Sequence, residues 1–247
     1  MANLAIDIGN TLIKVAVFKQ NDLLYFEQAQ DTDAGMLLGL IAEYDIKKAI
    51  VASVRKEVEG WREQVGQKIE VRYFSVDMTA GVTNRYKTPK TLGLDRLAAV
   101  IGAHQLYPDK SNLVIDAGTT ITYDHIDAGG NYFGGSISPG LNMRYKALNE
   151  YTGKLPMLEP DNEFDGRYGD DTASAIRSGV QNGLKYEVLG FLESYQATAP
   201  ELNIILTGGD SIFFDTLLKN SIFAPCVKIE PYLVLKGLNA AIPTNND

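Results

Sequence analysis

The chain has 247 residues, 45 % of them apolar, and a formal net charge of −8. That length holds one sizeable core or two small ones, and the acidic balance argues against nucleic acid as the main partner, because a phosphate backbone is met by concentrated Lys and Arg. The single cysteine, Cys226, leaves no internal disulfide and reads as a buried structural thiol; with no apolar run near the roughly eighteen residues that span a bilayer and no export signal at the N-terminus, a cytoplasmic, non-membrane protein is expected.

In chain order, "LAIDIG" from Leu4 reads as a short buried strand, and "LIKVAVFKQNDLLYFEQAQ" as a hairpin turning at Asn21 and Asp22. "AGMLLGLIAEYD" is a helix, "KKAIVASV" a strand, "VEGWREQVG" a helix with Trp61 as a packing residue, and "IEVRYFS" a strand. This alternation predicts an α/β layered domain. "TAGVTNRYKTPKTLGLDR" has no periodicity and reads as a long loop, a place where function concentrates. "DRLAAVIGAHQL" then carries a helical apolar face at Leu97, Val100, Ile101 and Leu106.

The second half restarts the pattern. "NLVIDAG" and "TTITYDHID" are paired strands, "AGG" a turn, and "NYFGGSISPG" a glycine-rich loop before a helix from Leu141. After the polar loop "EPDNEFDGRYGDD", a long helix from Asp171 or Thr172 buries Ile176, Val180, Leu184, Val188 and Leu192. "ELNIILTGGD" is a strand ending in a glycine turn, "IFFDTLL" a helix, and "YLVLKGLNAAI" the helix that closes the fold. The expected division is 1–108 and 109–247, two halves with a cleft between them.

The two halves open alike. Asp7, Gly9 and Thr11 of "DIGNT" align with Asp116, Gly118 and Thr120 of "DAGTT". Each turn places a carboxylate at a strand end, a glycine that lets backbone approach a ligand, and N–H groups that can cradle phosphate. Asn10, Thr11 and Lys14 extend the first turn, Thr119 and Thr120 the second. The carboxylate cannot touch phosphate unaided, so a bridging cation or water is implied. A turn of either kind alone is also an ordinary hairpin; as a pair they point to the phosphates of one nucleotide. Gly208 and Gly209 in "LTGGD" leave room for a flat adenosine, or simply turn the chain. Neither a lysine-bearing phosphate loop nor a three-glycine dinucleotide fingerprint is present.

Asp95 and Arg96 stand side by side at a loop-to-helix junction. A carboxylate there can take a proton from a hydroxyl, and a guanidinium can hold a substrate carboxylate; equally, Asp95 can be a helix cap and Arg96 a surface cation. His104 and His125 have no partners at metal-ligand spacing and read as helix-face and strand-edge residues.

Together "DIGNTLIK", "TLGLDRLAA", "DAGTTITYD", "GGSISPGLNMRYKAL", "TGKLP", "DDTASAIRSG" and "LTGGD" resemble, in order, the type III pantothenate kinases. The resemblance runs from Asn3 to about Asp210 and implies the superfamily of acetate and sugar kinases, heat-shock ATPases and actin. Its fold would be two duplicated ribonuclease H-like (actin-like ATPase) α/β domains with ATP in the cleft. It implies transfer of the ATP γ-phosphoryl to the primary hydroxyl of pantothenate, the first step of coenzyme A synthesis. Asp7, Gly9, Asn10, Thr11 and Lys14 match the first phosphate motif, with Asp7 holding Mg2+. Gly118, Thr119 and Thr120 match the second, with Asp116 a ligand of a monovalent cation, K+ or NH4+. Gly208 and Gly209 match the adenosine motif and Asp95 the general base. Tyr86, Gly93 and Arg96 match pantothenate-binding positions, as does Thr172, which a homodimer would contribute across subunits. Leu94 before Asp95, and "GTT" where "GTA" is also frequent, are mild departures. A kinase for another small molecule, a nucleotide-binding regulator and an α/β protein with incidental hairpins are the rival readings; retention of Asp7, Asp95 and Asp116 weighs against a regulator that has lost activity.

Overall fold

The computed structural model describes residues 1–9, 11–55 and 60–243. Its elements are β1 (Ala2–Ile8), β2 (Ile13–Lys19), β3 (Asp22–Ala29), α1 (Ala34–Tyr44), β4 (Ile46–Ser53), α2 (Arg62–Gly66), β5 (Glu70–Tyr73), β6 (Thr83–Asn84) and α3 (Leu94–Leu106). They continue as β7 (Ser111–Ala117), β8 (Thr120–Ile126), β9 (Asn131–Pro139), α4 (Leu141–Glu150), α5 (Thr172–Arg177), α6 (Gly183–Gln196), β10 (Leu202–Thr207), α7 (Ser211–Leu218), β11 (Val227–Ile229) and α8 (Leu233–Ala240). None of the described helices is long and apolar enough to cross a membrane.

Contacts divide the chain into two compact units. The first takes Met1–Asp109, Ala128–Phe133 and the chain from Tyr232 onward; the second takes Lys110–Asp127 and Gly134–Pro231. Where the sequence reading cut the chain once, near residue 108, the fold returns to its first unit twice more.

In the first unit the sheet order is β3-β2-β1-β4-β5. β1 and β2 are antiparallel, as are β2 and β3, while β4 runs parallel to β1 and β5 to β4. One face buries Leu4, Ile6, Ile8, Val15 and Val51 against Leu37 and Leu40 of α1 and against Trp61. α1 starts at Asp33, whose side chain accepts the Met36 N–H, and stops at Asp45, which takes a left-handed conformation.

α8 belongs to this unit, although its position in the sequence made it the closing helix of the second half. Gly237 of α8 lies against the Ala98 carbonyl of α3, and Gly102 of α3 against the Leu233 carbonyl, so a Cβ at either glycine would meet backbone. That close seam sets the axis of α3, which carries Asp95 and Arg96 at its start. Asn239 ties α8 to the sheet: its Nδ2 donates to the Gln20 carbonyl at 2.8 Å and its Oδ1 accepts from Asn3 at 3.1 Å. A helix goes where its buried face finds a partner, and chain order does not decide that. The long loop before α3 also has some order: β6 pairs in parallel with Asn131 and Tyr132, and a 3-10 turn spans Pro89–Thr91.

The second unit repeats the strand order. β9, β8, β7, β10 and β11 are neighbours in that sequence, with β7 antiparallel to β8 and parallel to β10. "NYFGGSISPG", read as a loop, is strand β9. Its glycines disguise the strand, and Gly135 sits directly against the Tyr123 backbone, where any side chain would collide. His125, read as a strand-edge residue, lies on an interior strand. The core packs Leu113, Ile115, Tyr123 and Leu206 against Tyr145, Phe214 and the predicted stripe Ile176, Val180, Leu184, Val188 and Leu192. A strict four-residue stripe runs ahead of a 3.6-residue helix. The π turn at Ser178–Asn182, between α5 and α6, takes up that excess and keeps Leu192 on the core side. Cys226 is half-buried at the margin of this core.

Candidate active site

In the first unit, β1 delivers Asp7 half-buried at its C-terminal end. The β1–β2 register places Lys14 directly opposite, so the two side chains share a face of the sheet. Burial pushes the Asp7 carboxyl up to about 6; Lys14 pulls it down, and the charge of Asp95 adds to the rise. A carboxylate held above its ordinary range gains from a cation. Among the described residues no three His, Cys, Asp or Glu side chains are grouped to hold a metal. A single carboxylate such as Asp7 fits a hard cation such as Mg2+ that takes its remaining oxygens from phosphate and water. The turn is closed by the Gly9 N–H donating to the Leu12 carbonyl at 3.0 Å. Thr11 is exposed, and Asn10 lies outside the described residues.

The same unit assembles Asp95, Arg96, Tyr86 and Gly93. Gly93, not Asp95, is the N-cap of α3; Asp95 stands exposed in the first turn and accepts the Arg96 N–H at 2.8 Å. Arg96 is only 6 % exposed, so it is no surface cation. Its guanidinium carbon lies 5.7 Å from the centroid of the Tyr86 ring, and Tyr86 stacks on the buried Tyr132 at 6.4 Å. A buried guanidinium, an aromatic wall and an exposed carboxylate one residue away suit a small acid with a hydroxyl group.

In the second unit, Gly118, Thr119 and Thr120 form the turn between β7 and β8, closed by the Gly118 N–H donating to the Thr120 carbonyl at 3.1 Å. Two other segments press on it. Gly208 has φ +87, and a Cβ there would strike the Ala117 carbonyl and Asp116 Oδ1. Gly140 lies against the carbonyls of Gly118 and Thr119 and donates its N–H to Thr119 at 3.1 Å. Asp116 is half-buried beneath this junction, a carboxylate that fits a monovalent cation. Gly209 is exposed, and the N–H of Asp210 donates to the Ala117 carbonyl at 2.9 Å. Burial raises the Asp210 carboxyl above its ordinary range.

Thr172 is exposed at the first position of α5, behind an Asp171 capping box. The polar loop before it is held from the π turn. Gln181 accepts the Asp161 N–H at 3.0 Å and donates to the Asp161 carbonyl at 2.8 Å, and Asn182 donates to the Gly166 carbonyl at 2.9 Å.

Sequence reasoning missed Gly140, Arg55 and Asp210. Gly140 follows β9, the strand mistaken for a loop, and caps α4; a glycine just before a helix was its signal. Arg55 donates from Nε to the Gly9 carbonyl at 3.1 Å, a pairing no local motif announces.

A family model described as type III pantothenate kinase matches residues 3–194. The type III pantothenate kinase of Bacteroides fragilis is 44 % identical over 245 residues, spanning 99 % of this chain and 98 % of that protein. That of Phocaeicola vulgatus is 44 % identical over 245 residues, spanning 99 % of both. Among solved structures, the activator of the 2-hydroxyisocaproyl-CoA dehydratase from Clostridium difficile with bound ADPNP superposes with a TM-score of 0.54 at 12 % identity, covering 98 % of this chain and 94 % of that one. At that identity the likeness is one of fold alone: an α/β protein with two sheet-containing units.

Proposed function

The chain belongs to the type III pantothenate kinase family, and from that premise we propose that it transfers the γ-phosphoryl of ATP to the primary hydroxyl of pantothenate, giving 4'-phosphopantothenate in the cytoplasm. The observation that carries this is Asp95 exposed beside a buried Arg96 and Tyr86, in the same unit as Asp7. Arg96 binds the pantothenate carboxylate, with Tyr86 and Gly93 walling the site. Asp95 orients the hydroxyl and accepts its proton as the oxygen attacks phosphorus in line. Asp7, Gly9, Asn10, Thr11 and Lys14 form one phosphate-binding turn and Gly118, Thr119 and Thr120 another, and Gly208 and Gly209 leave space for adenosine. Mg2+ at Asp7 and K+ or NH4+ at Asp116 supply charge neutralisation when bound. The shared strand order of the two units supports duplicated ribonuclease H-like domains, and the exposed Thr172 supports a homodimer in which it serves the partner's substrate.

A coupled kinase assay tests the reading. Asp95→Asn should lower kcat by about 10²–10⁴ while leaving the KM for ATP near its original value. Turnover near that of the unmodified enzyme would remove Asp95 from the role of base. Arg96→Lys keeps the charge but loses the planar fork, and should raise the pantothenate KM by about tenfold. A change confined to ATP would reassign Arg96.

A further inference from the structure

One carboxylate in the second unit touches nothing in the reaction, yet it is bonded on both sides of the second phosphate turn. Glu187 of α6 accepts the Tyr123 hydroxyl on Oε1 at 3.0 Å and Arg144 Nη2 on Oε2 at 2.6 Å. Arg144 in turn donates to the Ser138 hydroxyl and, from Nε, to the Pro139 carbonyl, both at 2.9 Å. Ser138 and Pro139 lead into Gly140, which rests on Gly118 and Thr119. On the other side, Tyr123 sits on β8, the strand that leaves the turn; it is wholly buried and stacked on Phe191 of α6 at 4.2 Å. Burial and the Glu187 charge raise the Tyr123 hydroxyl above its ordinary range, so it stays a donor.

We propose that Glu187 is a positioning residue for the nucleotide: through Arg144 and Tyr123 it holds the strand leaving the turn and the β9–α4 junction pressed on it, and so sets where the turn's N–H groups point. The physical case is that backbone donors stabilise phosphate only when aimed at it before binding. A small displacement costs far more than the lost bond, because the donors then miss together. The ion pair is well placed for this. Both side chains are mostly shielded, at 20 % and 24 % exposure, and Arg144 uses its guanidinium as a fork rather than a point charge. This inference rests on the reading of Gly118–Thr120 as a nucleotide phosphate turn.

The test is steady-state kinetics with both substrates varied, alongside thermal unfolding. Glu187→Gln should raise the KM for MgATP by about tenfold, with kcat and the pantothenate KM moving by less than about twofold. Arg144→Lys should do the same, and the double variant should cost little more than either single one, since both cut one chain of contacts. A lower melting temperature with no change in MgATP KM, or equal losses on both substrates, overturns the proposal. If Glu187→Gln does not fold, Arg144→Lys and Tyr123→Phe decide by the same readout. Backbone amide NMR shifts of Gly118, Thr119 and Thr120 on adding MgATP separate the two claims. If they do not move, the turn is not the phosphate site; if they move while Glu187→Gln leaves the MgATP KM unchanged, only the positioning role fails.

Discussion

Across the β1–β2 ladder Asp7 faces Lys14; across the β7–β8 ladder Asp116 faces Thr122. The sequence alignment of the two turns set Thr11 beside Thr120, but the registers differ. β2 starts at Ile13, after Leu12 closes the first turn, whereas β8 starts at Thr120, which closes the second itself. Among the described residues, glycines of other segments, Gly140 and Gly208, press on the second turn and none on the first, which has the Arg55 guanidinium on its Gly9 carbonyl. The same strand order therefore supports two different solutions. The first turn is defined by charge: a half-buried carboxylate, a lysine and an arginine. The second is defined by shape, with backbone packed on backbone.

The largest expected difference is steric. Gly208→Ala forces a side chain into a left-handed backbone and into the Ala117 carbonyl, and should cost roughly 3 kcal/mol or more of stability. Gly9→Ala meets only the Leu12 carbonyl at 3.1 Å, and should cost about 1 kcal/mol or less. Urea unfolding of both variants checks this; equal losses would mean that the second turn is no more tightly packed than the first.

Charge should separate the turns in the opposite sense. Lys14→Met removes the cation that holds the Asp7 carboxyl down, and should lower kcat/KM for MgATP by about 10–100-fold. Thr122→Val, at the matching register position, should change it by less than about threefold. A magnesium titration of each variant reads the effect directly, and a loss at Thr122 as large as that at Lys14 would erase the distinction.

What the sequence made legible follows from how local each signal is. The Asp-x-Gly turns, the hairpin at "KQND" and the Ile176 to Leu192 stripe are written in neighbouring residues, and each forms, the hairpin turning at Gln20 and Asn21 rather than at Asn21 and Asp22, because Asp22 already pairs with Lys19. Glycines that answer a distant backbone are different. Gly135 looked like loop because its reason lies in Tyr123, and Gly140 because its reason lies in Gly118 and Thr119. α8 looked like part of the second half because its partners, Ala98, Gly102 and Asn3, are far back in the chain. At the site, the Asp95–Arg96 pair was visible, but nothing local said that Arg96 is buried. Its guanidinium lies near Tyr86, which stacks on Tyr132 where the two-residue strand β6 meets β9.

The smallest expected effect concerns acid. His125 sits on β8 with its ring 5.5 Å from Tyr195, and its Nε2 is buried with no partner among the described residues. Burial lowers its pKa from the ordinary 6.5, against a weaker upward pull from Asp127. The imidazole is then neutral in the folded protein at pH values where it is already charged in the unfolded chain. Below 6.5 the unfolded state binds the extra proton, so stability rises with pH in that range. The contribution is complete above the unfolded value and is lost as pH falls through the folded one. His125→Gln removes the titration. Between pH 8 and pH 5 its melting temperature should fall by about 2 °C or more less than that of the unmodified protein. The fold of the β7–β8 sheet would then carry an acid-sensitive group two residues from Tyr123. Parallel profiles for the two proteins would show that the buried imidazole is as easily charged in the fold as out of it.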